Sequence, residues 1–396
     1  MMNQQGLNNS QVRRHNKALF MRLMWRYKRL SKSQLAQLSG LTIPATSKIL
    51  QELIDEAKID RTDLALSHRG HNAGSFQLPV SGPWTLCMCI TPTRIEYQLA
   101  DAQLVARGEC QQKTIAVVAP EALLTETEAL WRKVCQQWPG KKINLALAVH
   151  GQVDPTTGVS QHMPQAAWKA PVELKYLLEE RLGIEVRVDN DCIMLALAEK
   201  WLNSNQQREF CVINVDYGIG SSFVINGEIF RGNLYGSGQI GHTIVDPQGA
   251  RCSCGRQGCL ETVASLSALK QAARSKNSEL PPQTNRQLFA AWQKGEPWIA
   301  AWVNHAAEAI GMSLYNFLNT LNINQIWLYG RSCAFGESWR QTIIRQIDFN
   351  PFDPRDSLKS RATNIHFGEL DRASQLLGIG YLYVENPSLH SAGSPS

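Results

Sequence analysis

No apolar run in these 396 residues approaches the roughly 18 that a membrane-spanning helix needs. The first residues, MMNQQGLNNSQVRRHNK, hold no apolar h-region. No secretory leader is therefore expected, and the reading is a cytoplasmic protein with no membrane insertion. Acid is missing over a long stretch, since no Asp or Glu precedes Glu52. A wholly disordered chain is excluded by 43% hydrophobic residues against 19% charged. The length is too great for one compact core and suits two or three domains.

The net charge of +6 is unevenly spread. Residues 1–80 hold twelve Lys and Arg against five Asp and Glu, a balance of +7, and the remainder carries −1. One basic module joined to a nearly neutral body suggests nucleic acid or an anionic membrane as partner. A solvated basic helix is the plain alternative.

Residues 12–30 place Leu19, Leu23 and Tyr27 along one helical line, with Phe20 and Met24 beside it. Residues 31–59, SKSQLAQLSGLTIPATSKILQELIDEAKI, read as a short helix, a tight turn at Gly40 and a longer second helix. Leu35, Leu38, Leu41, Ile49, Leu53 and Ile54 supply the apolar faces. Thr42 suits an N-cap, and Pro44 falls in the first turn, where a missing N–H costs least. This is a helix-turn-helix, whose second helix would enter a major groove led by its N-terminal residues. The candidate DNA contacts are Thr42, Ala45, Ser47, Lys48 and Gln51. Residues 60–80 read as a two-stranded wing with its tip near His68–Gly74, from which Arg69 reaches the minor groove. Helical hairpins of ordinary bundles also use glycine turns, but they do not account for the charge asymmetry.

Most of the ten cysteines are scattered among apolar neighbours and read as small core residues. Three crowd into eight positions: Cys252, Cys254 and Cys259, with His242 shortly before them. Three thiolates and an imidazole form a tetrahedral zinc set, and four protein ligands leave no open position. The expectation is one structural Zn2+ per chain, holding His242 and the following loop beside a site.

Two further segments suggest a pocket. The strand-like IEVRV (184–188) runs through Asp189 and Asn190 to Asp191, which would stand at the N-terminus of the helix CIMLALAEKW. There the dipole favours an ionised carboxylate, suited to a base or a hydroxyl binder. An ordinary cap is the alternative. The strand FCVINV (210–215) leads into a D-x-G-x-G turn, Asp216, Gly218 and Gly220, whose N–H groups could face a phosphate.

Taken together, these pieces resemble the ROK family of repressors, open reading frames and kinases of sugar metabolism. The most specific stretch is SGQIGHTIVDPQGARCSCGRQGCLETVAS, which looks like the family's sugar-and-zinc segment. The wing-bearing module is similar to the repressor branch, which includes xylose repressors and the Mlc and NagC regulators. The resemblance implies an α/β fold, with a winged helix-turn-helix over 1–80 followed by a two-lobed actin/hexokinase-like (ribonuclease H-like) body. A small lobe over 81–188 would be completed near 380–390. A large lobe over 189–380 would carry the zinc motif and an oligomerisation surface, and 391–396 would be a disordered tail.

By position, Asp191 matches the family's catalytic Asp and Asn190 its sugar-binding Asn, while His242 and Glu261 match sugar-binding residues. Three departures bear on activity. Where family kinases carry D-x-G-G-T, this chain has CMCITPTRIEYQLAD (87–101), with neither glycine and with Pro92 lacking an N–H. Ser222 replaces a third glycine, and Gln239 replaces the Glu that precedes Ile-Gly-His. The resemblance therefore implies a degenerate Asp191, a vestigial phosphate turn at Asp216, Gly218 and Gly220, and no working catalytic residue. It implies a DNA-binding regulator with a sugar effector held between the lobes near Asn190, Asp191, Gln239, His242 and Glu261. A homodimer or homotetramer would act on a palindromic double-stranded operator in the nucleoid. An ATP-dependent sugar kinase with an added N-terminal domain is the alternative.

Overall fold

The computed structural model describes residues 9–62, 74–115, 119–164, 166, 168–203, 207–276, 284–347 and 363–385. The chain opens with α1 (Asn9–Tyr27), β1 (Arg29–Ser31), α2 (Lys32–Ser39), α3 (Ile43–Asp55), β2 (Asp60–Thr62) and β3 (Ser75–Gln77). A capping box starts α2: the Ser31 hydroxyl accepts from Gln34 N–H at 3.2 Å, and the Gln34 side chain accepts from Ser31 N–H at 2.8 Å. Gly40 ends that helix at φ 69°, a left-handed conformation that costs glycine little. Thr42 then caps α3 by accepting from Ala45 N–H at 3.4 Å, with Pro44 in the first turn.

The module closes around Phe20, Met24, Leu35, Leu50, Leu53 and Ile59, all at most 2% exposed. The apolar line expected in α1 is therefore rotated toward Phe20 and Met24, and Tyr27 is 37% exposed. Leu38, expected on an apolar face, is 44% exposed because Leu35 and Ala36 fill the α2 contact. In α1, Arg13 and Lys17 bond to Glu52 of α3, Lys17 at 2.9 Å, so part of the basic excess is neutralised inside the module. The wing is part of a three-stranded antiparallel sheet in the order β1-β3-β2, and its tip, with Arg69, lies outside the described residues.

Next come β4 (Trp84–Thr91), β5 (Arg94–Ala100), β6 (Ala106–Thr114), α4 (Pro120–Gln137) and β7 (Ile143–Val149). After a short hairpin, β8 (Gln152–Asp154) and β9 (Val159–His162), follow α5 (Leu174–Leu182) and β10 (Val186–Asn190). One five-stranded sheet has the order β10-β7-β4-β5-β6. Every residue of β7, INLALAV, is buried, as a strand covered on both faces requires. The edge strand β6, ARGECQQKT, is mostly exposed.

The rest of the chain forms α6 (Asp191–Leu202), β11 (Phe210–Val215), β12 (Ile219–Ile225), β13 (Glu228–Phe230), α7 (Leu260–Ala264), α8 (Leu266–Lys276) and α9 (Asn285–Gln293). It ends with α10 (Pro297–Leu321), β14 (Gln325–Tyr329), α11 (Glu337–Ile347), β15 (Asn364–Phe367), α12 (Arg372–Gly380) and α13 (Leu382–Glu385). A second five-stranded sheet has the order β13-β12-β11-β14-β15, with β12 antiparallel and β14 parallel to β11. Its core includes Ile213, Leu260, Val303, Ile310, Leu314, Ile326 and Trp339.

Two compact units result. The first holds the chain up to Leu147, Leu174–Val188 and the segment from Arg372, and the second holds Ala148–Glu173 and Asp189–Asp371. This differs from a small lobe over 81–188. Residues 148–173 leave the first sheet at the end of β7 and fold with the second unit, while 372–385 return to the first. Among the described residues, no helix is long and apolar enough to cross a membrane.

Candidate functional site

A cleft lies wholly within the second unit and is lined by His150, Asn190, Asp191, Gly218, Gly220, Gln239, His242 and Glu261, among others. Each sugar-site residue expected from the sequence thus reaches one cleft, and the fold explains how. Strand β10 delivers Asn190 and Asp191 to the start of α6, the 3-10 turn Ile240–His242 presents its histidine, and α7 contributes Glu261 from its first turn.

One local expectation is sharpened and another corrected. The cap of α6 is Asn190, whose side-chain oxygen accepts from Cys192 N–H at 2.7 Å, and Asp191 is the first helical residue. The Asn190 amide also donates to the Gly151 carbonyl, so this side chain is fixed by its own backbone surroundings. Gly220 lies inside β12, not in a phosphate-facing turn. Side chains crowd both glycines: a Cβ on Gly218 would come within 2.7 Å of Glu261 Oε2, and one on Gly220 within 2.7 Å of Cys192 Sγ. Close packing beside the cleft favours glycine there without any phosphate.

The cleft also includes a residue that sequence reasoning missed. His150 Nδ1 lies 2.9 Å from Asp191 Oδ2. Burial disfavours charge on this imidazole, but the carboxylates of Asp191, Glu261 and Asp216 outweigh it and raise its pKa above the usual 6.5. His150 stands 41 residues from Asp191 and in no motif. The available signal was its place just after the fully buried β7, since α/β sheets bind ligands beyond the carboxyl ends of their strands.

Other charges are paired as well. Arg231 Nη2 meets the buried Asp189 at 2.7 Å. Asp216 is taken by Arg331, whose Nη2 lies 2.6 Å from Oδ1 and whose main-chain N–H donates to Oδ2 at 3.3 Å. Glu261 Oε2 accepts from Ile219 N–H at 3.1 Å.

The metal-ligating candidates also converge. The ligand atoms of His242, Cys252, Cys254 and Cys259 all lie within 4.8 Å of one another. Cys252 Sγ is 3.6 Å from His242 Nδ1, and Cys254 Sγ is 3.6 Å from Cys259 Sγ. Two Zn–S bonds of about 2.3 Å at a tetrahedral angle separate the sulfurs by about 3.7 Å, so the set fits a tetrahedral ion.

On α3, Thr42, Lys48 and Gln51 are exposed, whereas Ala45 and Ser47 are half-buried. The Ser47 hydroxyl donates to the Ile43 carbonyl at 3.0 Å, and the Gln51 amide donates to Asp55 at 2.8 Å.

This architecture is a two-sheet α/β body behind a winged helix-turn-helix, with a polar cleft next to a Cys3His cluster. The chain belongs to the ROK family, whose model matches residues 85–348. It is 60% identical over 387 residues to the Escherichia coli protein YphH, covering 96% of this chain and 98% of that one. It is 27% identical to the Escherichia coli DNA-binding transcriptional dual regulator NagC over 337 residues, 81% of each chain. A solved ROK family transcriptional regulator, a homologue of the Escherichia coli MLC protein, aligns with TM-score 0.77 at 22% identity, covering 94% of this chain and 97% of that one. Kinases share the fold of the body: a Streptomyces griseus ROK glucokinase solved with glucose and AMPPNP aligns with TM-score 0.65 at 20% identity, covering 76% of this chain and 98% of that one.

Proposed function

We propose that this chain is a transcriptional regulator that binds double-stranded DNA through α3 and responds to a sugar held in the cleft. The observation that carries the reading is the capped α3, with exposed Lys48, standing in a +7 segment ahead of a ROK body. The similarity to NagC over 81% of both chains points the same way. Lys48 meets phosphate or a guanine edge, and Thr42, Ala45, Ser47, Gln51 and Arg69 complete the contact. Asn190, Asp191, Gln239, His242 and Glu261 hold the sugar, with Asn190 acting mainly as the scaffold of Asp191. Repression is the sense of regulation, and a homodimer or homotetramer reads a palindromic operator because two-fold symmetry in the protein mirrors that in the DNA.

Zinc is the ion for His242, Cys252, Cys254 and Cys259. With four protein ligands its role is structural, and it fixes His242 in the cleft wall.

The reading as a non-enzyme rests on the segment 87–101. It forms the β4–β5 hairpin, joined by a two-residue turn, Pro92–Thr93, with no glycine to cradle phosphates. Asp216 is in addition held by Arg331. Phosphoryl transfer depends on positioned charge at the phosphates, and this chain offers little of it.

Electrophoretic retardation of selected genomic fragments at low salt tests the regulator, and no retardation at any fragment defeats it. The second reading, a sugar kinase, is favoured by the retained Asp191 and by the shared fold of ROK glucokinases. ADP release with a hexose panel, lost in Asp191→Asn, would establish it.

A further inference from the structure

We propose that His150 is a specificity-determining residue of the cleft, held against Asp191 so that a neutral sugar meets a fixed acceptor and a fixed donor side by side. This rests on the sugar-effector reading and assigns the ligand class and a residue to it.

The geometry is specific. A carboxylate only accepts, so the 2.9 Å contact places the Nδ1 proton of His150 toward Asp191 Oδ2. Asp191 keeps Oδ1 for the ligand, and the imidazole keeps Nε2. In the imidazolium, Nε2 is a donor; in the neutral ring it is an acceptor. The carboxylates of Asp191 on α6, Glu261 on α7 and Asp216 after β11 face His150 and favour the imidazolium against the cost of burial. A sugar hydroxyl then donates to Oδ1 while a neighbouring ring or hydroxyl oxygen accepts from Nε2.

The charges of the cleft set the class. Asp189 is paired with Arg231 and Asp191 with His150. Glu261, in contrast, is held by the main-chain N–H of Ile219. The surplus is negative, and the guanidinium in the lining, Arg231, is already engaged, so a phosphate or carboxylate on the ligand would meet repulsion. A neutral polyol meets donors and acceptors alone. The same ion pair opposes kinase chemistry, because a carboxylate bridged to an imidazolium is a poor acceptor for a hydroxyl proton.

The test uses the full chain, labelled at histidine, with His150→Gln to identify the His150 resonance. NMR is followed from about pH 5 to about pH 9, in wild type and in Asp191→Asn. The expected result is a midpoint above 6.5 in wild type that falls in Asp191→Asn. A His150 that is neutral near pH 6, or unmoved by Asp191→Asn, overturns the pairing. Calorimetry with D-glucose, N-acetyl-D-glucosamine and their 6-phosphates supplies the second arm. A neutral sugar should bind about tenfold tighter one unit below the midpoint found by NMR than one unit above it, a difference lost in His150→Gln. Equal pH dependence in His150→Gln, or tighter binding of a 6-phosphate, overturns the assignment. If the NMR result holds and none of the four sugars binds, the sugar-effector reading falls, and the ligand class with it, while the ion pair stands.

Discussion

Lys28 Nζ donates to the main-chain carbonyl of Gln103 at 2.8 Å, which ties the end of α1 to the connection between β5 and β6. The ammonium also lies 3.3 Å from the Tyr381 hydroxyl and over the rings of Trp25 and Tyr381. Gln103 in turn donates its amide to the Leu78 carbonyl at 2.8 Å. The N-terminal module is therefore tied to the sheet of the first unit through a half-buried cation, among other contacts.

Burial lowers the Lys28 pKa from 10.5 to about 8, with Asp101 opposing the shift. The sign follows from linkage. Below about pH 8 both folded and unfolded chains carry the proton; between about 8 and 10.5 only the unfolded chain does, so stability rises with pH. The full gain is about 3 kcal/mol. Urea unfolding followed by tryptophan fluorescence should show wild type gaining stability on Lys28→Met between about pH 7.5 and about pH 9.5. Parallel curves for the two proteins would remove Lys28 as the titrating group.

Lys48 is the exposed cation on the leading turns of α3. Lys48→Ala should weaken operator binding by about tenfold and lower the salt dependence of log K by about one. Arg13→Ala should do less, because Glu52 already holds that guanidinium. Fluorescence anisotropy at several salt concentrations separates the two. Equal losses would mean that α1 touches DNA as closely as α3 does.

The metal cluster allows a third measurement. Elemental analysis should find about one zinc per chain. Chelation, or Cys259→Ser, should lower the melting temperature, because the ion would join four side chains spread over residues 242–259. Its described main-chain bonds include Val245 N–H to the Gly258 carbonyl at 2.9 Å and Cys252 N–H to the Arg256 carbonyl at 2.8 Å. Cys135→Ser, far from the cluster in sequence and on α4, is the control. A metal-free chain with unchanged melting and unchanged ligand binding would reject the structural ion.

How much of the fold and the cleft was legible in the sequence depended on locality. The helix-turn-helix is written in neighbouring residues: Gly40 for the left-handed turn, Thr42 for the cap and an apolar spacing that puts Ile49 and Leu53 inside. The Cys3His cluster was legible because three cysteines in eight positions, with a histidine shortly before them, already make a complete tetrahedral ligand set. The cleft was legible only where a motif carried it. His150 and Arg231 were missed because their partners, Asp191 and Asp189, are distant in sequence. Asp191 was legible at the helix N-terminus, with an ordinary cap as the alternative, but only the backbone geometry shows that Asn190 is the cap and Asp191 the first helical residue. The unit boundary at 147/148 was invisible because β7 reads as one continuous buried strand across it.

Gly218 offers the sharpest test of the cleft itself. Its carbonyl accepts from Asp216 N–H at 2.9 Å, and an added Cβ would meet the Glu261 carboxylate at 2.7 Å. The clash is with the far end of a flexible side chain, so Gly218→Ala should fold, at a cost of about 1–3 kcal/mol. Glu261 must swing away, and it then loses both the Ile219 N–H and its place against a ligand hydroxyl. A hydrogen bond to a charged group is worth about 1.5–3 kcal/mol, so ligand affinity should fall by more than about tenfold. Operator binding without ligand should stay unchanged, since α3 is untouched. The expected phenotype is a regulator that holds DNA and no longer releases it on addition of effector. Anisotropy of the operator complex, titrated with the sugar that dissociates wild type, checks this. Release at the wild-type concentration would place the ligand away from Glu261.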